Sequence, residues 1–168
     1  MAPASVDPPN FPKDFMPKAA DADADAAPAT KVKFNFYLPH DKPYDSAEVN
    51  MVLVPALTGD FGVMPGHVPT AAQLRPGVLS VQEEADGELK KYFVSSGFAF
   101  VHEDSSTDVV AIEAVPVEDL DEESVKAGLA EYTAKLASAG GSGDDYEAAA
   151  AQVGVEVYSA MSAAITNK

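Results

Sequence analysis

Three histidines, His40, His67 and His102, are the only side chains here whose ordinary pKa suits general acid–base work near neutrality. Each would need a nucleophile or a second ligand beside it. None belongs to a His-x-His or His-Glu-x-x-His pair, so a zinc site has no ligand set. His40 follows Leu38-Pro39 and His102 precedes Glu103-Asp104, both settings of solvated turns. Cysteine is absent, which excludes disulfides, thiolate ligands and a thiol nucleophile. The run Asp21-x-Asp23-x-Asp25 opens like a calcium loop, but Ala26 stands where the sharp turn needs glycine, and Val32 stands where the closing acid belongs. Gly59, Gly62 and Gly66 lie close together, yet Pro65 interrupts them and no helix follows to aim backbone amides at a phosphate. These residues predict no enzyme, no metal and no cofactor.

The elements that hold such residues follow from composition and period. The chain has 168 residues and a formal net charge of −16, which argues against nucleic acid, because phosphate binding requires clustered Lys and Arg. No stretch of about 20 apolar residues exists to span a bilayer. Residues 1–30 contain six prolines and the Asp21–Asp25 run, the composition of an extended acidic tail anchored at most by Phe11 and Phe15. That N-terminus lacks arginine and a basic region, so any mitochondrial presequence is expected to have been removed already.

From Val32 to Leu38 apolar and polar residues alternate, the mark of a half-buried strand. Further strands are expected over 48–54, 62–64, 78–82, 90–95, 98–102 and 109–114, separated by Gly-, Pro- and Asp-rich turns. Many short strands with closely spaced turns favour a β-sandwich. After Pro116 the period becomes helical. Val125, Leu129, Tyr132 and Leu136 fall on one helix face, and Tyr146, Ala150, Val153, Val157, Met161 and Ile165 on another, with Gly140-Gly141-Ser142-Gly143 between them. The expected fold is α+β: a tail (1–30), a β-sandwich (31–116) and an antiparallel two-helix hairpin (117–168).

Two turns carry more specified residues than a connection needs. In Gly59-Asp-Phe-Gly-Val-Met-Pro-Gly-His-Val-Pro69 and Leu74-Arg-Pro-Gly-Val78, prolines and glycines fix the backbone path. Phe61 either tucks into a tight corner of the sandwich or, with Asp60, forms an exposed docking knob. Arg75 is the only arginine, and its planar fork suits a carboxylate or main-chain carbonyls.

Together with Lys91-Tyr-Phe-Val-Ser-Ser-Gly97, the Asp104–Ser106 turn and Glu113-Ala-Val-Pro-Val-Glu-Asp-Leu-Asp121, these segments resemble the delta/epsilon family of F-type ATP synthases over about residues 31–168. His67-Val-Pro-Thr70 and Tyr92-Phe-Val-Ser-Ser-Gly97 look like the mitochondrial delta branch. The resemblance implies a β-sandwich followed by a helical hairpin, and a non-catalytic rotor subunit of the central stalk. Its implied partners are the gamma subunit, the small mitochondrial epsilon subunit and the ring of c subunits, on the matrix side of the inner membrane. It places Gly59, Asp60, Phe61 and Gly62 against the polar loops of the ring, with His67 and Arg75 near these interfaces. An inhibitory, extending hairpin is the alternative within the family, but Asp121–Asn167 offers only Lys126 and Lys135 as bases. A free ligand-binding sandwich is the alternative outside it.

Overall fold

A computed structural model describes residues 29–139 and 145–167. The expected tail, apart from Ala29 and Thr30, and the Gly140–Gly143 link lie outside the described residues.

Ten strands form two five-stranded sheets. The first sheet contains β1 (Val32–Tyr37), β2 (Tyr44–Val49), β5 (Thr70–Leu74), β8 (Gly97–Val101) and β9 (Ser106–Ala111), in the order β2-β1-β9-β8-β5. The second contains β3 (Met51–Val54), β4 (Phe61–Val63), β6 (Gly77–Gln82), β7 (Leu89–Val94) and β10 (Ala114–Pro116), in the order β10-β7-β6-β3-β4. Only the β1–β9 pairing is parallel. Their inner faces interdigitate around Phe34, Phe36, Leu74, Leu79 and a set of buried valines, the arrangement in which alternating side chains of both sheets share one core. Phe34, Phe36, Tyr44 and Tyr92 pack tilted or edge-on at 5.2–6.3 Å between ring centroids, the geometry that ring quadrupoles favour.

The strands differ from the sequence reading where the chain changes sheets. The single strand expected over 48–54 is two, because at Asn50 the chain passes from β2 in the first sheet to β3 in the second. Asn50 donates its backbone N–H to the Gln82 carbonyl (2.8 Å) and its amide to the Gln82 side chain (2.9 Å), which holds the corner. Likewise 109–114 divides into the end of β9 and the start of β10, in opposite sheets. β5 was not expected: Thr70-Ala-Ala-Gln-Leu74 has weak strand propensity, and its pairing with β8 makes it a strand.

After a 3-10 turn at Val117–Asp119 come α1 (Glu122–Ala139) and α2 (Asp145–Thr166). Asp121 starts α1 by accepting the Ser124 N–H at 2.8 Å, an N-cap that satisfies an orphan donor. Helix α2 packs Val157, Ala160, Met161 and Ala164 over Phe93, Val78 and Val115 on the outer face of the second sheet, and Lys91 Nζ donates to the Asn167 carbonyl at 2.7 Å. The stripe expected on α2 packs in its C-terminal half, through Val157 and Met161, and fails in its N-terminal half, where Tyr146 and Val153 are exposed and Ala151 is buried instead.

The helices are antiparallel and interlocked. The Tyr158 ring lies over Gly128, the Tyr132 ring lies over Gly154, and the two rings sit 5.5 Å apart. A Cβ at Gly128 would come within 2.3 Å of Tyr158, and one at Gly154 within 2.0 Å of Tyr132. Gly154, which reads as a mild helix weakness in the sequence, is the socket for Tyr132.

Two outcomes are expected. Helix propensity alone favours Ala over Gly by about 1 kcal/mol, whereas overpacking costs roughly 1–3 kcal/mol. Gly154→Ala should therefore lower stability by about 1 kcal/mol in thermal unfolding, and Tyr132→Ala in the same chain should recover part of that loss. In the β8–β9 turn, the Ser106 hydroxyl and then its backbone N–H hold Asp104 below its ordinary pKa. Because the folded pKa is depressed, its contribution to stability is present above the ordinary aspartate range and is lost as pH falls through the folded value. Ser106→Ala should move the Asp104 titration upward in an NMR pH series.

Candidate functional site

The strand directions place three connections at one end of the sandwich: residues 55–60 between β3 and β4, Arg75-Pro76 between β5 and β6, and Ser95-Ser96 between β7 and β8. The first is clipped to the rest. Leu57 N–H donates to the Gln73 carbonyl (2.8 Å), Gly59 N–H to the Ala56 carbonyl (3.1 Å), and Arg75 N–H to the Pro55 carbonyl (3.0 Å). Gly59 has φ +128°, a backbone that glycine alone adopts without strain. Gly77 is required by proximity: a Cβ there would meet the Pro55 ring at 2.8 Å.

Asp60 and Arg75, chosen from two separate motifs, are joined. Arg75 Nη2 donates to Asp60 Oδ1 at 2.7 Å, and Nη1 donates to the Pro76 carbonyl at 3.3 Å. The carboxylate that the arginine clamps is the chain's own. Phe61 is half-buried and packs against the core, so the tucked alternative describes it, and the exposed part of the loop is Leu57, Thr58, Gly59 and Asp60. Gly62 opens a place in β4 beside Leu53. Asp60, Phe61 and Gly62 line a shallow pocket of about 260 Å³ with Leu53, Val54, Val78 and Ser80. His67 lies on the flank where edge strands β4 and β5 meet; its ring sits 5.8 Å from Phe61, and its Nδ1 is 2.8 Å from the Val68 carbonyl. His67 thus braces Phe61 from the side.

The remaining histidines build no catalytic group. His40 is exposed. His102 Nε2 meets Asp108 Oδ2 at 2.9 Å, Asp108 Oδ1 accepts from the Asn35 amide at 2.6 Å, and Asn35 Oδ1 accepts the Ser46 N–H at 2.6 Å. This is a hydrogen-bonded chain across four strands, with no nucleophile on the imidazole among the described residues. Nor does any group of three or more His, Asp or Glu among the described residues form a metal cage, and none of the described helices is long and apolar enough to cross a membrane.

An exposed apolar face escapes a motif search. On the outer face of the first sheet, Phe98 pairs across to Val110, and Val110 to Tyr37. Phe98 is 52% exposed, Val110 45% and Ile112 62%; the Phe98 and Phe100 rings lie nearly parallel at 6.3 Å. Gln73 pairs with Phe98, and its carbonyl accepts the Leu57 N–H, so β5 joins this face to the 55–60 loop. A signal for it exists in the sequence: Gly97-Phe-Ala-Phe-Val101 and Val109-Val-Ala-Ile112 are apolar at consecutive positions, the pattern of strands covered on both faces.

Known proteins resemble the chain along nearly its whole length. Residues 31–117 match the family model described as ATP synthase, Delta/Epsilon chain, beta-sandwich domain. The mitochondrial ATP synthase subunit delta′ of Ipomoea batatas is 47% identical over 165 residues, covering 96% of this chain and 78% of that protein. The mitochondrial ATP synthase subunit delta of Saccharomyces cerevisiae is 43% identical over 143 residues, 85% of each. Among solved structures, a chain of the Euglena gracilis mitochondrial ATP synthase OSCP/F1/c-ring assembly superposes with a TM-score of 0.77 and 26% identity, covering 96% of this chain and 98% of that one. With the sandwich, the two C-terminal helices and the clipped turn all in place, this chain belongs to the ATP synthase delta/epsilon family.

Proposed function

We propose that the chain is a non-catalytic subunit of the central stalk of a mitochondrial ATP synthase, joining the gamma subunit to the c-ring and carrying the ring's rotation towards the catalytic head. One observation carries this reading. Among the described residues, helix α2 covers the outer face of the second sheet, and the outer face of the first is left exposed at Phe98, Phe100 and Val110, with Ile112 beside it. Contiguous apolar faces of this kind mark protein–protein interfaces. The bare face is assigned to the gamma subunit and the small mitochondrial epsilon subunit, and the adjoining end with Leu57, Gly59, Asp60, Phe61 and Gly62 to the ring. Support comes from relatives named as mitochondrial delta subunits and from the assembly in which the Euglena neighbour sits. In that setting the chain is peripheral on the matrix side of the inner membrane, held by its partners.

The mechanism is mechanical. Torque transfer requires a body that deforms little and faces that do not slip. The close-packed sandwich supplies the body. The hairpin adds to it: the reciprocal tyrosine–glycine packing ties α1 to α2, and the packing of α2 over Phe93, Val78 and Val115, with the Lys91–Asn167 hydrogen bond, holds the pair on the sheet, which favours a rotor part over an extending inhibitor.

Phe98→Asp with Phe100→Asp should weaken gamma-subunit capture by roughly tenfold or more, as loss of buried aromatic anchors does, while the melting of the isolated chain stays near that of the parent. Capture at the parent level would overturn the assignment of this face. At the ring end, Phe61→Ala would confound contact with core damage, so Leu57→Ser with Asp60→Ala is the cleaner pair. It should lower the ATP made per unit of proton flow in reconstituted vesicles with the fold retained.

A further inference from the structure

Building on the ring contact proposed above, we infer that Arg75 is a positioning residue: it presents Asp60 to the ring rather than touching the ring itself. The geometry is that of a clip. One residue holds both ends of the 55–60 loop, by its backbone N–H on the Pro55 carbonyl at the start and by its guanidinium on Asp60 Oδ1 at the finish. The guanidinium is in turn steadied by the Pro76 carbonyl, and Gly77 keeps the space that lets Pro55 approach.

The ion pair is exposed, with 42% of the Arg75 side chain and 66% of the Asp60 side chain open to solvent. Such pairs add little to stability, so its role is orientation. Arg75 occupies Oδ1, and among the described residues no donor reaches Oδ2. The carboxylate is thereby fixed about one oxygen, with the other free to accept an N–H from a partner: a main-chain amide, or the amide or basic group of a side chain on the ring's polar loops. Holding the acceptor still before docking removes an ordering cost from the contact. It also neutralises the loop, so recognition rests on short hydrogen bonds rather than on attraction at a distance. Lysine cannot reproduce this, because a point charge on a flexible stem lacks the planar fork that bonds Pro76 and Asp60 together.

The test is a double-mutant cycle in the reconstituted complex, reading proton-driven ATP synthesis and proton leak, with melting of each isolated chain alongside. Asp60→Ala and Arg75→Ala are each expected to reduce coupling by a similar factor, roughly two- to fivefold, and together by no more than either alone, since residues that act through one contact are non-additive. Arg75→Lys should fall between parent and Arg75→Ala. The exchange Asp60→Arg with Arg75→Asp rebuilds an ion pair but moves the acceptor, and should remain uncoupled with parent-like melting. If Asp60→Ala uncouples while Arg75→Ala does not, or if the two losses multiply, the clip is overturned and the ring contact stands. If Asp60→Ala leaves coupling at the parent level, the ring contact itself fails and the clip fails with it. Should Arg75→Ala lower melting sharply, the exchange variant decides: recovered coupling with recovered melting overturns the positioning role in favour of a purely structural one.

Discussion

A β-sheet that is apolar on both faces must be covered twice, and the two sheets of this sandwich meet that requirement from different sources. Each gives one face to the shared core. The second sheet receives its other cover from α2 through Phe93, Val78 and Val115. Among the described residues nothing covers the first over Phe98, Phe100 and Val110, or over Ile112 just beyond β9. At about 1.5–3 kcal/mol for fully burying a large apolar side chain, four such residues, each near half exposed, leave several kcal/mol of unspent hydrophobic driving force. On the proposal made above, that imbalance orients the chain in an assembly: helix hairpin on one side, partner on the other.

Attachment of the hairpin is hierarchical. Among the described residues α2 grips the sheet, while α1 is held chiefly through α2 by the Gly128–Tyr158 and Gly154–Tyr132 contacts. A rotor part of this construction would transmit torque through the sandwich and α2, with α1 as an outer brace. The same contacts explain why so alanine-rich a pair of helices has one register. Alanine faces slide with little penalty, whereas a ring seated over a glycine fits at one position only.

Residues that announce local structure were legible, and residues defined by what they meet were not. Strand β1 alternates cleanly between core and solvent and is read within a residue of its ends. β5 is invisible because alanine and glutamine carry no strand signal, and its identity comes from β8. The first half of the α2 stripe, Tyr146 and Val153, is misread because apolar periodicity does not say which of two neighbours, sheet or α1, each residue faces. Asp60 stands out in its turn, but its partner lies 15 residues along the chain, and nothing local links them. The apolar face over Phe98, Phe100 and Val110 has no local mark, because a run that is apolar at consecutive positions does not say what covers its second face.

Charge distribution bears on how so acidic a chain could approach a membrane-embedded ring. The described acids are not spread evenly. Glu83, Glu84, Asp86 and Glu88 follow β6 at the end of the sandwich away from the Arg75 turn, joined there by Glu103 and Asp104 after β8. The Arg75 end carries Asp41, Asp45, Asp60 and Glu113 against Lys42 and Arg75, with Asp45 and Asp60 paired, while at the other end Lys31 pairs with Glu84 and Lys90 with Glu83. A six-residue strand separates the two ends by about 20 Å, roughly two Debye lengths at physiological ionic strength. Repulsion between anionic headgroups and the acidic turns is therefore screened out when the Arg75 end faces the ring, and is felt in full in the opposite orientation. If the ring contact proposed above holds, the end that meets the ring is the one where Arg75 balances Asp60, and the acidic turns beyond β6 and β8 stand about two Debye lengths behind it.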